Sequence, residues 1–315
     1  MMVAMAPHAH PASRRTLVIV LALNALSCLV ELVAGWWTNS LALLSDAGHM
    51  LGDVGAIALT LAAATLAARP AAADKTYGWW RSEILAALAN GVTLVVVAAL
   101  VAVEALRRIG APPAVPGAAV AWVAAFGLVV NVISVAALAA GRKHDLNLRA
   151  AFLHAASDAL GSIGAIVAGV LIATRGWTIA DPLAGLYIGV LVAVAGFGLL
   201  RDTVQVLMEG APASIRVDRL RAAVESSPGV RGVHDLHVWS VASRFPALSA
   251  HVVADPTLSL AEGQQMLERM RTVLREEFGI RHATLQLEPG SAEGCDPCAE
   301  PWIGPAVAMR ESETS

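Results

Sequence analysis

Histidine and aspartate recur at one spacing inside two long apolar segments of the chain. His49 and Asp53 stand four residues apart within residues 40–68, and His154 and Asp158 repeat that spacing in a later apolar segment. Residues four apart lie on one face of a helix, so each pair presents an imidazole and a carboxylate together. Two such faces that meet would supply two nitrogen and two oxygen ligands, a tetrahedral set that suits zinc better than magnesium or calcium.

A simpler interpretation exists for any one of these residues, because a polar side chain in a membrane helix often makes only a packing hydrogen bond. The repetition argues against it. An ionisable group in hydrocarbon costs roughly 2.5–3.5 kcal/mol on insertion scales. Two buried carboxylates without a cation or a proton would also repel each other. The paired spacing therefore favours a metal site.

Other polar residues lie at membrane depth without a clear role. Asp46 precedes His49 on the same helix face and either orients a ligand, carries protons or faces water at a helix end. Asn24, Glu31 and Asn131 are either packing residues or members of an ion pathway. The sequence leaves both questions open.

The composition is that of a membrane protein. Hydrophobic residues make up 57% of the chain, charged residues 15%, and the mean hydropathy is +0.63. The net charge of −3 shows no basic excess, which excludes nucleic acid as an expected partner. The three cysteines are too few for a disulfide framework.

Long apolar segments predict an all-α membrane bundle, since about 20 apolar residues are needed for each crossing. Six segments qualify: 16–38, 41–68, 81–107, 116–140, 148–174 and 180–206. Lys and Arg are concentrated on one side of this arrangement, which places both termini in the cytoplasm. The Ala- and Arg-rich composition with few lysines favours a bacterial cytoplasmic membrane.

The domain organisation follows from a change of composition after residue 208. We expect a cytoplasmic N-terminal tail at 1–15, a six-helix transport domain at 16–208, a cytoplasmic metal-binding domain at 209–290 and a tail at 291–315. Apolar periodicity within 209–290 predicts the order α-β-β-α-β, a small α+β domain.

This cytoplasmic segment is rich in further metal ligands. They are His234, His237, His251, His282, Glu288, Cys295 and Cys298. A hairpin symmetric about Arg244 would place His237 opposite His251, close enough to share an ion. His282 and Glu288 lie about 20 Å apart along one strand, so we expect two sites. The second, weaker candidate combines His282 with Cys295 and Cys298, which His8 and His10 can complete.

Several of these segments resemble the cation diffusion facilitators, divalent-metal exporters of the membrane. The resemblance covers nearly the whole chain. The matching stretches are SLALLSDAGHMLGD (40–53), YGWWRSEILAALANG (77–91), HAASDALGS (154–162), DPLAG (181–185), LMEGAP (207–212), HDLHVWS (234–240) and SAHVV (249–253). The chain lacks the long His-rich loop that many vertebrate vesicular zinc transporters of this family carry between spans four and five, since that connection is only residues 141–147, which hold His144.

This resemblance implies a homodimer that exchanges zinc for protons and has a ferredoxin-like cytoplasmic domain. It makes His49, Asp53, His154 and Asp158 the transport-site ligands in the zinc-preferring arrangement, with cadmium or cobalt as secondary cargo. It also assigns cytoplasmic zinc to His234, His251 and Glu288. We prefer that set to the pair of His237 and His251, because a register inferred from loop symmetry slips easily.

The competing class of function is an intramembrane zinc-dependent hydrolase or a metal sensor. A catalytic zinc needs an open coordination position and a nearby base. Four ligands would fill the shell here, and the sequence has no His-Glu-x-x-His motif. We therefore predict a transporter and not an enzyme.

Overall fold

The computed structural model describes residues 11–139, 146–242 and 245–290. Side chains are described from residue 19 onward, except at 21, 146–151, 153 and 154. The chain divides between Val204 and Gln205 into two compact units, one helical and one of mixed helices and strands. His8, His10, His144, Cys295 and Cys298 lie outside the described residues.

The first unit consists of long apolar helices. They are α1 (Pro11–Thr38), α2 (Leu41–Ala67), α3 (Ser82–Gly110), α4 (Gly117–Ala139), α5 (Leu146–Arg175) and α6 (Ala180–Leu207). Within the described residues, α2 to α6 are long and apolar enough to cross a membrane, whereas the apolar part of α1, Ala22–Thr38, is shorter. Five helices of crossing length and composition are therefore confirmed, and the sixth crossing stays a prediction.

Local chemistry sets the ends of these helices. Ser40 caps α2, because its hydroxyl accepts the backbone N–H of Leu43 at 3.3 Å. Helix α3 ends just before Pro112 and Pro113, which have no N–H to donate. Helix α5 ends at Arg175, and the next residue, Gly176, adopts the left-handed φ of +63° that glycine tolerates.

Helices α4 and α5 pack with their backbones almost in contact. A Cβ atom built on Gly117 would lie 2.6 Å from the carbonyl oxygen of Gly169 and 2.6 Å from the backbone nitrogen of Ala173. Small residues at a helix interface permit such an approach in membranes. The packing fixes α5, which carries one half of the paired motif, against α4.

The second unit has the predicted order α-β-β-α-β. Its elements are α7 (Val217–Glu225), β1 (Val230–Ala242), β2 (Phe245–Ala254), α8 (Leu260–Phe278) and β3 (His282–Pro289). The sheet order is β1-β2-β3, with β1 antiparallel to β2 and β2 parallel to β3. Helix α8 is the crossover that the parallel pair requires.

Helix α8 covers the sheet with one apolar face. Met266, Met270 and Leu274 recur at helical spacing, are all but fully buried, and belong to the same core as the strand residue Leu248. A capping box formed by Ser259 with Glu262 begins the helix, and Gly279 ends it at φ +70°. This packing holds β2 and β3 in register, which matters for the ligands they carry.

Candidate metal centres

The first cluster lies between α2 and α5. Helix α2 presents His49 and Asp53 on one face, with His49 Nε2 3.8 Å from Asp53 Oδ2. Asp158 of α5 meets them, its Oδ1 3.5 Å from the same Nε2. The Asp158 side chain is only 2% exposed, and those of His49 and Asp53 are 15% and 26% exposed. Three of the four predicted transport ligands therefore come together.

The fourth predicted ligand, His154, belongs to α5 one turn before Asp158. Its side chain lies outside the described residues. From the sequence alone, the i, i+4 spacing predicts that it shares a helix face with Asp158. Its role as a ligand stays a prediction.

This cluster has the chemistry of a site for a divalent cation. One imidazole and two carboxylates, mostly withdrawn from water, carry excess negative charge when the imidazole is neutral. A dication neutralises that charge, and nitrogen with oxygen donors in a tetrahedral set suits zinc. The donor separations of 3.5 and 3.8 Å are close to those expected between nitrogen and oxygen ligands of one tetrahedral zinc ion.

A chain of neutral polar groups supports the α5 side of the cluster. Ser162 Oγ donates to the backbone carbonyl of Asp158 at 3.2 Å, and Asn131 Nδ2 of α4 donates to Ser162 Oγ at 3.4 Å. This contact joins Asn131 of α4 to the turn of α5 that follows Asp158. The sequence analysis did not single out Ser162. Its position one turn after a predicted ligand, within an apolar segment, could have indicated it.

Asp181 ties the start of α2 to the start of α6. Its carboxylate is fully buried and accepts from Ser40 Oγ at 2.5 Å, from Leu41 N at 2.6 Å and from Ala42 N at 3.3 Å. The first N–H groups of a helix have no partner within the helix, so a carboxylate satisfies them and complements the helix dipole. This Asp181 clamp fixes the helix that carries His49.

The second cluster lies on the sheet of the other unit. His234 of β1 pairs directly with His251 of β2, and their ring centroids are 5.1 Å apart. Glu288 of β3 contacts both, with Oε2 3.0 Å from His234 Nε2 and Oε1 2.8 Å from His251 Nδ1. One ligand atom from each residue lies within 4.8 Å of the others.

The register corrects the expectation from loop symmetry, which placed His237 opposite His251. His237 lies opposite Ser249 instead. The pairing is not symmetric about Arg244, because Ala242 pairs with Phe245, and a further register shift lies between Ser240 and Ala242. A bulge between His234 and His237, where Asp235 adopts a φ of +50°, then brings His234 opposite His251. His237 Nε2 contacts Asp235 Oδ1 at 2.9 Å and is more than half exposed.

The residues of the second cluster fit a zinc ion. Two imidazoles and one carboxylate converge, and His234 Nδ1 is buried without a hydrogen-bond partner among the described residues. Burial opposes ionisation of Glu288, but the hydrogen bond with His234 and the charges of His251 and His234 outweigh it and lower the pKa of that carboxyl. Glu288 is thus held as the anion that a metal requires.

Of the second predicted cytoplasmic site, which combines His282 with Cys295 and Cys298, only His282 lies within the described residues. His282 starts β3 opposite Ala247, and its ring packs 6.1 Å from the ring of Phe245. It lies at the other end of β3 from Glu288, as predicted. Its proposed companions Cys295 and Cys298 are outside the described residues, so this site stays a prediction.

The fold and the two clusters are those of a polytopic membrane protein with candidate cation sites in its helices and in an α+β domain. A family model described as the cation efflux transmembrane domain matches residues 17–208. A second, described as the cation efflux protein cytoplasmic domain, matches residues 212–290. The chain belongs to the cation efflux family. It is a transporter, not an enzyme, and the hydrolase alternative is set aside.

Curated relatives align with nearly the full length of the chain. The "Cadmium, cobalt and zinc/H(+)-K(+) antiporter" of Bacillus subtilis is 40% identical over 89% of this chain and 91% of its own length. "Zinc transporter ZitB" of Escherichia coli is 38% identical over 92% and 94%. "Metal cation efflux system protein CzcD" of Cupriavidus metallidurans is 36% identical over 97% and 96%.

Proposed function

We propose that the protein exports zinc from the cytoplasm in exchange for protons, with cadmium and cobalt as secondary cargo. The observation that carries the proposal is the meeting of His49, Asp53 and Asp158 between two membrane helices. Relatives whose names state zinc, cadmium and cobalt as cargo support the choice of ion. Ionisable groups at membrane depth mark ion pathways.

Zinc is the transported substrate of this site. His49 and His154 supply nitrogen, and Asp53 and Asp158 supply oxygen. Only a neutral imidazole binds a metal, so zinc entering from the cytoplasm displaces protons, and reprotonation from the outer side releases the ion. Alternating exposure of a site between helices is the general logic of secondary transporters.

The same proposal places the chain in a bacterial cytoplasmic membrane with both termini inside, which the Lys and Arg distribution supports. Its parts are the N-terminal tail (1–15), six crossings (16–208), the cytoplasmic domain (209–290) and the tail (291–315). A hairpin followed by a helical crossover to a parallel strand supports a ferredoxin-like fold for the cytoplasmic domain.

The cytoplasmic domain joins two copies into a homodimer and holds zinc at His234, His251 and Glu288. This zinc would link β1, β2 and β3, because each strand contributes one ligand. A structural metal adds folding free energy to a small domain whose own core is limited. His282 with Cys295 and Cys298 forms a second, weaker site.

Zinc flux into proteoliposomes tests the proposal. The purified wild-type chain is reconstituted with a pH indicator and a zinc indicator inside, and a pH gradient is imposed across the membrane. Zinc accumulation that needs the gradient and dissipates it supports exchange. Zinc flux that neither needs nor dissipates the gradient refutes it, and tight zinc binding without any flux favours the sensor alternative.

A further inference from the structure

A second group of buried acids lies beside the metal cluster and has no part in it. Glu31 of α1 is only 1% exposed. Ser27 Oγ donates to its Oε1 at 3.0 Å, whereas its Oε2 is buried without a hydrogen-bond partner among the described residues. A carboxyl oxygen in that state needs either a cation or a proton of its own.

Asp46 of α2 faces this carboxyl. The two acid groups lie within reach of a hydrogen bond between them, and Asp46 is 4% exposed. Neighbouring helices enclose the pair closely, because a Cβ atom on Gly161 would lie 3.1 Å from Asp46 Oδ1 and one on Gly127 would collide with Glu31 Oε1. The glycine of α4 therefore makes room for the Glu31 carboxyl.

Two ionised carboxylates cannot share such a site at low free energy. Each loses its hydration on burial, and each repels the other in a medium of low dielectric. A proton held between them removes one charge and forms a strong hydrogen bond. If it is carried on Glu31 Oε2 and donated to Asp46, it also satisfies the one oxygen that otherwise has no partner.

The surroundings of the pair are acidic. The titratable groups on the helices packed around it are Cys28 of α1, His49 and Asp53 of α2, and Asp158 of α5. Helix α4 contributes the neutral Asn131, and the charged residues of α3 lie at its ends. Among the described side chains of these helices, only the His49 imidazole can offset the carboxylate charge beside the pair.

We propose that Glu31 and Asp46 share one proton that is exchanged during transport, at a site separate from the metal ligands. The inference deepens the proposed function and rests on it for the direction of exchange. Asp46 is closer than His49 to the end of α2 that begins at Leu41, the outer end in the proposed orientation. The pair is therefore placed to take its proton from the outer side.

Zinc at His49 and Asp158 brings two positive charges close to the pair. Its field favours release of the shared proton, and departure of zinc restores the condition for binding it. No bond other than the O–H bond is broken, and the proton passes to water. Zinc at the metal cluster and the proton at the Glu31–Asp46 pair thus disfavour each other electrostatically, although the two sites share no residue.

The test compares the full-length wild type with Glu31→Gln, which keeps the shape of the side chain and removes its acidity. Zinc is added to the protein in weakly buffered detergent solution, and the bound zinc and the released protons are measured over a range of pH. Glu104→Gln is the matched control, because that carboxyl is exposed at the end of α3. Asp46→Asn is a second variant if Glu31→Gln does not fold.

We expect Glu31→Gln to bind zinc and to release about one proton fewer per protomer than wild type, with the control unchanged. Proton release equal to wild type in both Glu31→Gln and Asp46→Asn would overturn the proposal. A second result would also overturn it: Glu31→Gln releases as many protons as wild type, but its zinc binding no longer depends on potassium. That result would indicate that the pair holds a monovalent cation and not a proton. Failure of the proposed function itself would show separately, as a wild type without zinc flux in proteoliposomes.

Discussion

The Asp181 clamp permits a quantitative prediction about how α2 is held. Asp181→Ala removes the carboxylate that accepts from Ser40 Oγ, Leu41 N and Ala42 N. The two shortest of these bonds leave buried donors unsatisfied, at about 1–3 kcal/mol each, so the loss of stability is about 2–6 kcal/mol. Asp181→Asn keeps one acceptor oxygen, and its loss is smaller.

The assay is thermal unfolding of the full-length protein in detergent. The measured quantity is the fraction of the protein that stays monodisperse after heating to each temperature. We expect the midpoint of Asp181→Ala to fall by about 5–20 °C. Asp202→Ala is the matched control, because it makes the same change at an exposed position of the same helix. Equal midpoints for Asp181→Ala, the control and wild type would refute the clamp.

Two further perturbations test the packing and the cytoplasmic cluster. Gly117→Ala places a Cβ against the backbone of α5 and is expected to lower the midpoint of thermal unfolding. Gly55→Ala is the control and is not expected to lower it, because the new Cβ would have nothing within 4 Å. Equal midpoints for the two variants would contradict the close contact of α4 with α5. Glu288→Gln, made in a chain that also carries Asp158→Ala, is expected to weaken zinc binding about 10-fold or more by calorimetry, and unchanged binding would remove Glu288 from the site. The folded state lowers the pKa of Glu288, so the ionised carboxylate stabilises the fold at pH values above the ordinary glutamate pKa. That stabilisation disappears as the pH falls through the lowered pKa. In a pH titration of the free energy of unfolding, Glu288→Gln should lack this loss at acidic pH.

The membrane helices were predictable because their signal is local. About 20 consecutive apolar residues have few alternatives to a crossing helix, and Pro and Gly mark where such helices stop. The pairing of His49 with Asp53 on one face also follows from spacing alone. The spacing does not reveal which helix packs against which. Asp158 reaches His49 only because α5 packs beside α2.

Long-range contacts and backbone irregularities explain what sequence reasoning missed. The Asp181 clamp joins residues about 140 positions apart, and no local pattern marks that distance. The hairpin register depended on where the turn is centred and on two irregularities, one between Ser240 and Ala242 and one between His234 and His237, and no local pattern marks either. Glu31 was visible as a polar residue at membrane depth, but its partner Asp46 appears only when α1 and α2 are placed side by side.

The central claim is that the cluster of His49, Asp53 and Asp158 lies on the path of the ion. The most direct test is zinc flux into proteoliposomes under an imposed pH gradient, for wild type and Asp158→Ala at equal amounts of folded protein. We expect gradient-dependent zinc uptake by wild type and none above the empty-liposome rate by the variant. Equal uptake by the two proteins would contradict it, because the paired motif would then lie off the ion path.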